Sequence, residues 1–96
     1  MTALDAFRER GIDQAGELLF EPADALFILE ELERGGQRVL GLDVWYPCQG
    51  RFAEEPGGLD LSELGAADAA AAAREFLTRG LPPPASRVSF VVTSTR

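Results

Sequence analysis

Hydrophobic and polar residues follow two rhythms along this chain, one near 3.6 and one of 2, and the points where the rhythm changes divide it into elements. Between Pro22 and Gly36 the apolar residues Ala25, Leu26, Ile28, Leu29 and Leu32 share one arc of a helical wheel, with Asp24, Glu30, Glu31 and Arg34 opposite. Pro22 suits a helix start, Gly35 and Gly36 a stop, and Glu30 with Arg34 is a favourable i, i+4 pair. A second helix is predicted in ADAAAAAREFLTRG, where Ala66, Ala69, Ala70, Ala73, Phe76 and Leu77 share a face before Gly80 and the prolines end it. Asp60 with Glu63 has capping-box spacing, so this helix starts near Leu61, or at Ala66 if Gly65 delays it. ALDAFRER, residues 3 to 10, forms a short helix ending at Gly11.

Period 2 governs the rest. In VLGLDVWYPCQG, residues 39 to 50, alternation turns Leu40, Leu42, Val44 and Tyr46 to one face and Val39, Gly41, Asp43 and Trp45 to the other. PCQG makes a turn, RFAEE is a short return strand that soon frays, and EEPGG reads as a loop. After the extended connector LPPPAS, RVSFVVTSTR alternates again, with Val88, Phe90 and Val92 inward and Arg87, Ser89, Val91, Thr93 and Thr95 on a wet side. The expected core is Leu29, Leu32, Leu40, Leu42, Val44, Phe76, Leu77, Val88, Phe90 and Val92. Together these elements predict a single α+β domain over residues 1–96, a small sheet of two to four strands with two main helices packed on one face. Whether the last strand runs parallel or antiparallel to the first is left open by the connection.

Two residues break the pattern. Asp43 lies in mid-strand, on a face shared with Trp45; Phe27 falls on the acidic side of its helix, beside Glu31. An aromatic ring among carboxylates is the usual make-up of a protein-binding hot spot, in which the ring supplies buried area and the charges set orientation. The alternatives are structural: Phe27 packs under the N-terminal segment, and Asp43 bonds to a neighbouring amide.

Charge narrows the possible partners. Sixteen acids face nine arginines and no lysine, a net charge of −7. Such a chain is repelled by nucleic acid and by anionic membranes, and its natural partner is basic. Asp13, Glu17, Glu21, Asp24, Glu30, Glu31 and Glu33 form a run with no intervening base, a single-sign field suited to steering association. No apolar run is long enough to span a bilayer, and the first residues lack the apolar block of a secretory signal, so a cytoplasmic protein is expected. With no histidine and the single Cys48, the usual general base, the cysteine or serine dyads and a zinc site all lack their residues. Neither a metal nor a cofactor is expected, nor enzymatic activity. Any catalysis would rest on carboxylates, Asp43 with Glu54, Glu55 or Asp60.

The run from PADALFILEEL through RGGQRVLGLDVWY resembles the immunity protein 40 family of bacterial polymorphic toxin systems, in which a helix, a short glycine turn and a strand of the form I-L-G-G-D-V-Y follow one another. Gly41, Asp43 and Val44 match that motif; Leu42 replaces its second glycine, and Trp45 stands where its tyrosine would be. An apolar strand after a helix, as in REFL and then RVSFVV, also ends that family. The resemblance implies a protein that neutralises a cognate bacterial toxin by tight binding. Joined to the acidic composition, it assigns the partner surface to Asp43, Trp45, Phe27, Glu31 and Asp24. The alternative is a small acidic carrier or secretion chaperone for a larger effector, which would need a groove that captures an extended segment.

Overall fold

A computed structural model describes residues 3–92. A 3-10 helix, Ala3–Arg10, leads into β1 (Ile12–Gln14), β2 (Glu17–Leu19), α1 (Pro22–Arg34), β3 (Val39–Cys48), β4 (Arg51–Asp60), α2 (Ala66–Arg79) and β5 (Arg87–Val92). The class is α+β, as the periodicities predict. The connection that the sequence leaves open is resolved: β5 runs antiparallel to β3, giving a three-stranded sheet of order β4-β3-β5.

Both helices cover one face of this sheet. Ala25, Ile28, Leu29 and Leu32 of α1 and Ala69, Ala73 and Leu77 of α2 pack on Val39, Leu42, Val44, Val88 and Phe90. Alanines let α2 approach closely. At the end of α1 the Gln37 amide reaches back to the Leu32 carbonyl (2.8 Å), with Gly36 in the left-handed region at φ +77°, where a Cβ would be penalised.

Four expectations are corrected. The return strand does not fray at EEPGG: β4 runs ten residues to Asp60, absorbing Pro56, Gly57 and Gly58 as a bulge opposite the single Asp43, between the pairs Leu42–Leu59 and Val44–Glu55. Backbones approach so closely there that a Cβ on Gly58 would lie 2.4 Å from the Leu42 carbonyl oxygen, and one on Gly41 2.8 Å from that of Leu59. Leu40 is not core. A second irregularity, between Val39 and Gly41 against β5, inverts the alternation, so Val39 is buried and Leu40 only half-buried. Phe76 and Val92 are also half-buried, at the margin of the core. The capping box does not form either: Asp60 accepts from the Ser62 amide (3.0 Å) and hydroxyl (2.7 Å), and α2 begins at Ala66.

Residues 12–20 carry an element with no periodic signal. β1 and β2 form a hairpin with Ala15 and Gly16 both at positive φ, and Leu18, Leu19 and Phe20 behind it are buried. Two attachments hold it to the main sheet. Phe20 exchanges main-chain hydrogen bonds with Val88 (2.8 and 2.9 Å). Gln14 donates from Nε2 to the Phe52 carbonyl and accepts the Phe52 amide at Oε1, each at 2.7 Å.

Leu42→Ala is expected to cost about 2 to 5 kcal/mol, and Leu40→Ala about 1 kcal/mol, since only the first side chain is fully enclosed. Denaturant unfolding of the two variants checks this; equal losses would contradict the bulge that separates them.

Candidate functional site

The five residues expected to bind a partner divide between two surfaces. Phe27, Asp24 and Glu31 lie on the outer side of α1, whereas Asp43 and Trp45 lie on the face of the sheet turned away from both helices. Phe27 is 42% exposed; its ring meets Phe7 edge-on at 6.2 Å and lies under the Arg10 guanidinium, 4.5 Å from the centroid. It thus packs against the N-terminal segment. Arg10 also reaches Asp24 (3.5 Å), and Glu31 pairs with Arg34 (2.5 Å), where the spacing had suggested Glu30.

Folding neutralises most of the acidic run. Arg8 arrives at Asp13, Arg10 at Asp24, Arg74 at Glu33 and Arg87 at Glu21, all from outside the run in sequence. Helix α1 is therefore a laced surface of exposed ion pairs, each worth little. Asp43, Glu54, Glu55, Asp60 and Glu17 form no ion pair within 4 Å among the described residues. Glu30 and a few scattered acids are also unpaired, but these five gather around one face of the main sheet.

There the bulge opens a cleft of about 510 Å³, whose lining includes Leu40, Asp43, Glu54, Glu55, Asp60 and Val91. Trp45 stands beside it, pinned: its indole N–H donates to the Ser89 hydroxyl at 2.9 Å. Ser89, expected on the wet side, is 2% exposed, because the β1–β2 hairpin folds over that part of the sheet. The Arg87 guanidinium lies 5.3 Å from the Phe52 ring on the same face. Thr93 and Thr95, expected to extend this face, lie outside the described residues.

Asp43 and Glu54 both line the cleft. Partial desolvation, then the charges of Asp43 and Glu17, push the Glu54 carboxyl above its ordinary range, so its proton is held more firmly than usual. The hydroxyl and amide of Ser62 hold Asp60 below its own range, and it stays charged. Glu54 and Asp60 thus line one cleft with their proton affinities moved in opposite directions, which meets one condition for acid–base chemistry. Yet Glu54 is exposed, and no part of the site excludes water, so what the arrangement does best is attract a cation. No cluster of three or more potential ligands among the described residues is arranged to hold a metal ion. No helix among them is long and apolar enough to cross a membrane.

Glu54 is named by the sequence as a possible partner for Asp43; Glu17 is not, and only the hairpin brings it near. No family model matches the chain, and no curated protein or solved structure matches it. The resemblance at VLGLDVW therefore rests on those seven residues.

A carboxyl raised in the folded state destabilises that state once it ionises, and the penalty vanishes below the ordinary glutamate value near 4.5. Glu54→Gln is thus expected to raise the melting temperature at pH 7, with the gain shrinking as pH falls to about 4.5; a pH series of thermal scans checks it. Trp45→Ala is expected to cost about 2 kcal/mol, leaving the buried Ser89 hydroxyl without its donor.

Proposed function

We propose that this chain is an immunity protein that neutralises a basic bacterial toxin by binding it, with the cleft between β3 and β4 as the contact surface. The observation that carries the reading is the set Asp43, Glu54, Glu55, Asp60 and Glu17, gathered without arginines while Asp24, Glu31 and Glu33 of α1 are each paired with one. A toxin that acts on nucleic acid is itself cationic, and a localised negative field speeds its capture. Asp43 meets cationic side chains, Trp45 supplies a rigid apolar border, and neither needs a cofactor. Phe27 and Asp24 then hold the N-terminal segment, and Glu31 an ion pair within α1, more than they serve the interface.

A second reading, a carrier for a larger effector, gains from a groove beside β5 described below. Catalysis by Asp43 and Glu54 is the least favoured, because both remain in contact with water.

The test uses the product of the neighbouring reading frame, expressed with and without this protein. Rescue of growth and co-purification are expected; a harmless neighbour that does not bind would overturn the proposal. Asp43→Arg with Glu54→Arg is expected to slow association about tenfold or more. Raising the salt from about 0.05 M to 0.5 M should slow wild-type association in the same way, with little change in dissociation. An on-rate indifferent to both would place the interface elsewhere.

A further inference from the structure

Among the described residues, the outer edge of β5 is open beyond Val88. Val88 exchanges both main-chain hydrogen bonds with Phe20, so its N–H and C=O point away from β3. In an antiparallel ladder that direction recurs every second residue, and Phe90 turns its own N–H and C=O the same way. If β2 continued alongside, Leu18 would meet Phe90. It does not: the bridge at Phe20–Val88 is isolated, and β2 is paired with β1 alone. Between the two strands lies a cleft of about 400 Å³, with Glu17 and Leu18 on one wall, Phe90 and Val91 on the other, and Leu4 at its border.

The opposite edge of the sheet is managed differently. On β4 the outward amide and carbonyl of Phe52 are taken by the Gln14 side chain, and Pro56 has no N–H to offer. On β4 the outward groups of Glu54 stay open between the capped Phe52 and Pro56, whereas on β5 the open groups of Phe90 adjoin a cleft with apolar walls.

We infer that β5 receives an extended segment of a partner protein as an added strand, and that this segment alternates aliphatic and cationic residues. Its backbone pairs with Phe90. Its aliphatic side chains meet Leu4, Leu18 and Val91, the last of which is 44% exposed. Its cations meet Glu17, which has no arginine, and, across Val91, the cleft that holds Asp43 and Glu54. A second copy of this chain, at −7, is the wrong charge for that role. The charge of the occupant rests on the basic-partner reading above; the strand geometry does not.

Amide hydrogen exchange and peptide titration followed by NMR test the two parts separately. In the free protein the Phe90 amide is expected to exchange about a hundredfold faster than that of Val88, although its side chain is buried. The probes are an eight-residue peptide alternating valine and arginine, its glutamate counterpart, and the arginine peptide with its valines N-methylated. The arginine peptide is expected to shift the Leu18 and Phe90 resonances and slow Phe90 exchange about tenfold or more; Glu17→Arg, at an exposed position, is expected to weaken it about tenfold. A Phe90 amide as protected as Val88 in the free protein would overturn the open edge. Equal binding of the N-methylated peptide would overturn strand addition in favour of charge attraction alone. Equal binding of the glutamate peptide would overturn the cationic occupant while leaving strand addition standing; the basic-partner reading fails separately, on an association rate indifferent to salt.

Discussion

The close approach of β3 and β4 at Gly41 and Gly58 governs much of what this molecule presents to solvent. Carbonyl oxygens of Leu42 and Leu59 occupy the space where side chains at these two positions would begin. That contact closes the ladder on both sides of a bulge in which three residues of β4 face one of β3. The surplus backbone cannot lie flat, and it frames a cleft around Asp43. On the other side of the same strand, Leu42 and Val44 seal the core under α1 and α2. A side chain at position 58 would force the strands apart and thus disturb the cleft and the core together.

Charge is distributed by the same fold. Acids and arginines are interleaved in space far more evenly than along the chain, because the 3-10 helix, α2 and β5 each bring an arginine to the acidic run. The densest group of unpaired acids lies on a concave surface. Partial desolvation and, after it, the neighbouring charges of Asp43 and Glu17 raise the Glu54 carboxyl, and its ionisation there costs stability. A cationic partner would offset the like-charge part of that cost on binding.

Stability is also uneven across the sheet. β3 is bonded along both edges, β4 is capped by Gln14, and β5 is held on its outer side at Val88 by Phe20. The β1–β2 hairpin lies beside Ser89, yet it diverges from β5 one residue pair after Phe20–Val88. An interface that uses the cleft and the open edge together would extend the fold along its least restrained border.

How far the sequence alone reached depended on whether a feature was local. Both main helices, the strands around Leu42 and Phe90, and the α+β class followed from periodicity and from Pro22, Gly35, Gly36 and Gly80, because burial on one face imposes a repeat on neighbouring residues. Asp43 and Trp45 were legible as exceptions to that repeat. Tertiary structure decided what depends on residues distant in the chain: which acids are neutralised, that Val39 replaces Leu40 in the core through a bulge, and that Ser89 is covered by a hairpin whose strands, three residues each, are too short to show a period. It also separated Phe27, Asp24 and Glu31 from Asp43 and Trp45, since strand pairing and helix packing, not spacing, determine which surface a side chain reaches.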